Sequence, residues 1–187
     1  NLPYEIDEYS EEYLELMITL PGSWKLDFSD EQWFWPIKLL KSLARFPHLY
    51  KTHLGYGHTM QNGNYDNYAN NTQLCGSILL PIFGENNETR RLKVNDKKTI
   101  HFYSVLPLYK GEIEYALRNG SNDFFGKLIE NDFSLEVDIN REKYARCNEG
   151  ERHKRLKTKI AELLEMTPGV SDVKVEKNII GNHPILN

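Results

Sequence analysis

The stretch "KTIHFYSVLPLYKGEIEYALRNG" runs from Lys98 to Gly120. Its first half, Ile100 to Leu106, is rich in β-branched and aromatic residues, which suit a pleated, half-buried surface. Its second half changes period: Ile113, Ala116 and Leu117 fall at helical spacing. One strand therefore passes directly into a helix. Upstream, Leu92 and Val94 alternate and Asn95-Asp96 forms a turn, so "RLKVNDKKTIHFYSVLPLY" is expected to be a hairpin. Downstream, Asn119-Gly120 splits off a second helix, with Phe124, Phe125, Leu128 and Ile129 facing inward. "FSLEVDINR" (Phe133 to Arg141) is expected to be an edge strand.

Further out the elements alternate in kind. "LCGSILLPI" (Leu74 to Ile82) has the unbroken apolar run of a buried strand. "YLELMITLP" (Tyr13 to Pro21) is read as a strand apolar on both faces, ended by Pro21-Gly22. Between them, Ser29 or Asp30 can cap a helix, with Pro36 tolerable only near its first turn. Ile37, Leu40, Leu43 and Ala44 give the helix an apolar stripe, Trp33 and Trp35 anchor it, and Phe46-Pro47 is expected to close it. At Glu149-Gly150 the character changes to a charged amphipathic helix, a Pro-Gly break and a strand carrying Val170, Val173 and Val175. The expected organisation is a main domain over 1–148 and a C-terminal helix–strand appendage over 149–187.

Composition narrows the function. The chain has 187 residues, 40% hydrophobic and 12% aromatic, enough for a packed core. A net charge of −4 argues against a nucleic-acid-binding domain, which would be basic. No apolar run reaches the roughly 18 residues of a membrane span. The first residue, Asn1, is not Met, which suggests a processed chain or a fragment. Two cysteines, Cys75 and Cys147, make no disulfide framework, so a cytoplasmic location is expected. The sequons at Asn70, Asn87 and Asn119 are read as chance in an Asn-rich chain.

One loop concentrates chemistry-bearing residues: "HLGYGHTMQNG", His53 to Gly63. Gly55 and Gly57 permit backbone shapes other residues avoid, and Asn62-Gly63 favours a tight turn. His48, His53 and His58 recur every five residues, a spacing that converges on neither a helix nor a strand, so no metal is expected. The loop lacks a third glycine at the offset of a phosphate cradle and its following Lys-Ser/Thr, and a strand follows it rather than a helix. It lacks the Ser or Cys of a nucleophile elbow. Glu112 and Asp138 are candidate general acids or bases, but nothing in the sequence pairs them with His58. Glu112 also suits the first turn of a helix, where a carboxylate meets the positive dipole end.

Six blocks together resemble a known family: "ELMITLPGSWKL", "WPIKLLKSLARFPH", "LGYGHTMQNG", "ANNTQLCGSILLP", "KTIHFYSVLPLYKGEIEYALRNG" and "VDINR". Their order and spacing are similar to those of the Suppressor of fused domain family in its bacterial single-domain form. The resemblance spans about Leu14 to Arg141, roughly two thirds of the chain. It implies an α/β (α+β) domain with a central mixed β-sheet flanked by helices, and no catalysis. The animal member helps hold and restrain transcription factors; bacterial members resemble immunity proteins encoded near polymorphic toxins.

The implied function is a non-catalytic protein-binding domain, an immunity protein neutralising a toxin. It needs no cofactor, and its partner is another protein. The family's patterned positions fall on Gly55, Gly57, His58, Thr59, Asn71 and Thr72, taken as the partner-facing set. They also fall on Gly76, Pro81, Tyr103, Pro107, Leu108, Tyr109, Glu112 and Asp138. The alternative is a small cytosolic hydrolase using His58 and a carboxylate. Two departures stand out: the segment that precedes the first block in family members is missing, and the tail after about Cys147 has no family counterpart.

Overall fold

A computed structural model of the chain describes residues 13–82 and 90–144. In chain order the elements are β1 (Leu14–Met17), α1 (Glu31–Tyr50), β2 (Thr59–Gln61), β3 (Leu74–Pro81), β4 (Arg91–Asn95), β5 (Lys98–Tyr109), α2 (Lys110–Asn119) and α3 (Ser121–Glu130). The appendage expected over 149–187 lies outside the described residues.

The strand order is β1-β5-β3-β2, with β4 pairing β5 off this path. β5 is the axis of the sheet. It runs parallel to β1, with Leu14 opposite His101 and Met17 opposite Ser104. On its other side it is antiparallel to β3 along its second half and to β4 along its first. The sheet is mixed and helices cover both faces, giving an α/β/α layering. On one face α1 sends Trp35, Leu39, Leu43 and Phe46 onto Leu74, Leu79, Tyr103 and Val105. On the other, α2 and α3 send Ile113, Ala116, Phe124, Phe125 and Leu128 onto Ile78, Leu80, Leu106 and Leu108. Burial on both faces explains the uninterrupted apolar run of β3.

Three details depart from the sequence reading. Helix α1, capped as expected by Asp30 accepting from Gln32 N at 2.9 Å, does not close at Phe46-Pro47 but continues through Pro47 to Tyr50. Lys51 ends it in the left-handed region at φ 50°, donating its N–H to Pro47 O. Its buried stripe is Trp35, Pro36, Leu39, Leu43, Phe46 and Pro47; Ala44 is exposed, and Ile37 and Leu40 are only partly covered. The strand expected over Tyr13 to Pro21 is shorter, and only one face of it is covered: Leu14 and Leu16 are partly buried, whereas Glu15 and Met17 are exposed. "FSLEVDINR" forms no strand; its one ladder contact is an isolated parallel bridge between Glu136 and Thr19, just after β1, with Val137 N donating to Thr19 O at 2.9 Å.

Candidate functional site

The loop from His53 to Gly63 turns out to be stitched to the sheet. Gly57 N donates to Leu79 O at 2.8 Å and Leu79 N donates to His58 O at 3.0 Å, so pairing with β3 begins before β2 itself. Gly57 sits at φ 75°. Its carbonyl accepts from Ser121 Oγ at 2.7 Å and from Thr59 Oγ1 at 3.2 Å. A Cβ at this position would stand 2.6 Å from Ser121 Cβ, so the start of α3 is packed directly on glycine backbone. Tyr56 adds a bond from its hydroxyl to Asn122 Oδ1 at 3.1 Å, and burial pushes its phenol well above the ordinary range. Gly55 differs: its φ is not positive and a Cβ there would meet open space, so the backbone does not require glycine there. The rings of His53 and His58 lie 5.1 Å apart, a contact the five-residue spacing did not suggest.

Asn71 and Thr72 belong to the opposite end of β3. Thr72 Oγ1 accepts from Leu74 N at 3.1 Å, a local turn that starts the strand. Asn71 Nδ2 donates to Gln32 O at 3.4 Å. That carbonyl would ordinarily bond the N–H four residues on, where Pro36 has none. Asn71 thus covers an acceptor that proline exposes inside α1. Trp24 works beside it, donating Nε1 to Trp33 O at 3.0 Å and meeting Trp33 and Trp35 edge-on. From Leu74 to Leu79 the strand advances about 16 Å at ~3.3 Å per residue. The six residues selected from sequence therefore form two groups, one toward each end of β3.

The most densely bonded group is the junction of β5 and α2. Glu112 is fully buried at 0% exposure. Arg141 grips it with both terminal nitrogens, Nη1 to Oε1 and Nη2 to Oε2, each at 2.7 Å. Tyr109 N donates to Oε2 at 2.9 Å and Tyr144 N to Oε1 at 2.8 Å. The guanidinium also donates to Pro107 O at 2.8 Å and lies between the rings of Tyr109 and Tyr144, at 4.8 and 4.2 Å. Tyr109 returns its hydroxyl to Arg141 O at 3.0 Å. Burial pushes the Tyr109 phenol up, against the opposing pull of the Arg141 cation. Asp138 is exposed and uses Oδ1 to accept from Asn140 N at 2.8 Å, turning the chain toward Arg141.

Neither candidate carboxylate is given a histidine by these contacts. Glu112 bonds at Tyr109, which pairs with Leu74, while His58 bonds at Leu79. Gly76 has its own reason: a Cβ there would stand 2.6 Å from Met60 O and press into the Ile113 side chain, so α2 approaches the sheet closely because that position is bare. A separate open cleft of about 770 Å³ lies between β1, α1 and the start of β5, lined by Leu14, Leu16, Leu40, Leu43, His48 and Lys98 among others. None of the six selected residues lines it. Among the described residues no group of three or more His, Cys, Asp or Glu is gathered for a metal, and no helix is long and apolar enough to cross a membrane.

With this geometry in hand, comparison with known proteins is informative. The profile of the Suppressor of fused protein (SUFU) family matches residues 1–142. The chain belongs to the Suppressor of fused family. No curated protein sequence matches it. Two family crystal structures are similar at low identity. The Sufu–Fu complex aligns with TM-score 0.48 and 14% identity over 59% of this chain and 46% of that one. Drosophila Suppressor of Fused aligns with TM-score 0.44 and 14% identity over 71% of this chain and 29% of that one. The chain thus spans less than half the length of either.

Sequence reasoning missed Arg141 as the partner of Glu112 and Ser121 as the partner of Gly57. Glu112 was legible as a first-turn carboxylate. Its partner was not, because 29 residues separate the two and no local pattern joins them. The signal for Ser121 was the Asn119-Gly120 break: it starts a new helix whose first hydroxyl faces the loop.

Proposed function

We propose that this Suppressor of fused domain is a non-catalytic protein-binding module, and that in a bacterial setting it neutralises a toxin encoded beside it. The observation that carries the reading is the fate of Glu112. The best-placed candidate for acid–base work is wholly buried, and both its oxygens are occupied by Arg141 and two backbone amides. A general base must reach the proton it removes, and Glu112 is spent on holding the fold. Family membership supports the same reading, since a solved relative is described as the Sufu–Fu complex.

The presenting surface in this proposal is the loop and β2. Among the described residues β2 ends the sheet path, and Gly55, His58 and Thr59 are half-buried beside it. A glycine-bent, hydrogen-bonded loop leading into a terminal strand offers a preformed edge to a partner. Asn71 and Thr72, at the other end of β3, would then act by shaping the sheet. The test is affinity capture of the proteins encoded next to this chain, with wild type and His58→Ala compared by titration calorimetry. A neighbour-encoded toxin bound by wild type and weakened by His58→Ala is the expected result. If no neighbour binds and His58→Ala instead abolishes turnover of a substrate without unfolding the chain, the hydrolase reading replaces this one.

A further inference from the structure

Among the described residues the β4–β5 arm stands out for its positive charge. From Arg90 to Lys98 it carries five cations, Arg90, Arg91, Lys93, Lys97 and Lys98, against the single carboxylate Asp96, a net of +4. The whole chain has −4, so the remaining residues together hold −8. Every residue of β4 is exposed. Among the described residues β4 bonds only to β5, which leaves its other edge without a strand. Leu92 and Val94 are 52% and 50% exposed; Leu92 pairs Ile100 and Lys93 pairs Thr99 on opposite faces, and Val94 is the extra residue of a bulge before Asn95 pairs Lys98. The Lys93–Asp96 pair at 2.8 Å is so exposed, 69% and 96%, that it does little to neutralise the lysine.

We propose that β4 is a docking edge for an extended acidic segment of a partner protein, which would add to the sheet as a strand beyond β4. The main chain of that edge, unpaired among the described residues, supplies the hydrogen bonds, Leu92 and Val94 supply apolar contact, and Arg91, Lys93 and Lys97 select for carboxylates. Charge decides among the possible occupants. A second copy would set +4 against +4, and lysines on an edge strand are a recognised device against such pairing. A nucleic acid would make no use of the exposed Leu92 and Val94 face. An acidic segment with alternating apolar residues satisfies all three features.

The surface is distinct from the loop and β2, so its success or failure is separable from theirs by using His58→Ala as a background in which β4 is untouched. The experiment uses the full chain and a labelled short peptide of alternating Glu and Val, followed by fluorescence anisotropy and by amide shifts of Arg91–Asn95. Three results are expected. The Glu–Val peptide binds and moves the β4 amides. Raising salt toward 1 M, where screening acts within about 3 Å, weakens it. The double variant Arg91→Glu/Lys93→Glu, unchanged in melting temperature because both sites are exposed, loses affinity by about tenfold or more. The proposal is overturned if a Lys–Val peptide or a single-stranded DNA binds as well. It is also overturned if charge reversal leaves binding unchanged, or if the chain instead self-associates through β4. Slow hydrogen exchange of the outward β4 amides in the dilute, peptide-free chain would equally sink it, since the edge would then be filled by the chain itself.

Discussion

At the scale of single residues, the loop that looked richest in chemistry is organised by one glycine. Gly57 combines a left-handed backbone with a carbonyl shared by Ser121 and Thr59, and its missing side chain is where α3 begins. Gly55, two residues earlier, has neither constraint. Gly57→Ala is therefore expected to destabilise the domain by about 2–3 kcal/mol, combining the cost of a left-handed alanine with that of the crowded Ser121. Gly55→Ala should stay within about 0.5 kcal/mol of wild type. Urea denaturation of the two variants checks this, and equal losses would show that the contact with α3 does not matter. Sequence marked both glycines alike, because a glycine's reason lies in what approaches it from elsewhere in the chain.

At the scale of elements, the sequence was most legible where burial is two-sided or strictly periodic. The runs that became β3, β5, α2 and α3 stood out because their apolar residues face a layer on each side of the sheet. The first helix was placed correctly but rotated. The stripe expected from sequence was Ile37, Leu40, Leu43 and Ala44; the buried one holds Trp35, Leu39, Leu43 and Phe46 and shares only Leu43 with it. The bulk of that set settles the choice, since more apolar area leaves water. Pro36 was tolerated beyond the first turn because Asn71 reaches the carbonyl it strands, a contact with no local signature. The rotation predicts a contrast between residues that belong to one stripe only. Leu39→Ala, in the observed stripe alone, should cost about 2–5 kcal/mol, while Ala44→Gln, in the expected stripe alone, should change stability by no more than about 0.5 kcal/mol. Calorimetric melting of the two variants distinguishes the stripes; a larger loss at Ala44 would restore the phase expected from sequence.

At the scale of the whole molecule, the Glu112–Arg141 pair decides how the chain after α3 is held. Among the described residues that chain makes no strand of its own and meets the chain just after β1 through a single bridge, Thr19 to Glu136. Its anchorage is the guanidinium, which joins Pro107 at the end of the sheet, Glu112 at the start of α2 and the rings of Tyr109 and Tyr144. Two charges removed from water gain little over apolar packing of the same shape, but one left alone is costly. Arg141→Met should accordingly destabilise the domain by about 3–5 kcal/mol, since Glu112 remains buried without its cation. The double variant Glu112→Met/Arg141→Met should recover most of that loss, because no charge is then stranded. Equilibrium unfolding of both variants measures the difference. Hydrogen exchange adds the location: in Arg141→Met, protection should fall first at Val137 N, whose bond to Thr19 O ties the segment to the chain just after β1. If the double variant is no more stable than the single one, the pair contributes through its shape and hydrogen bonds to the backbone, and the argument from stranded charge fails.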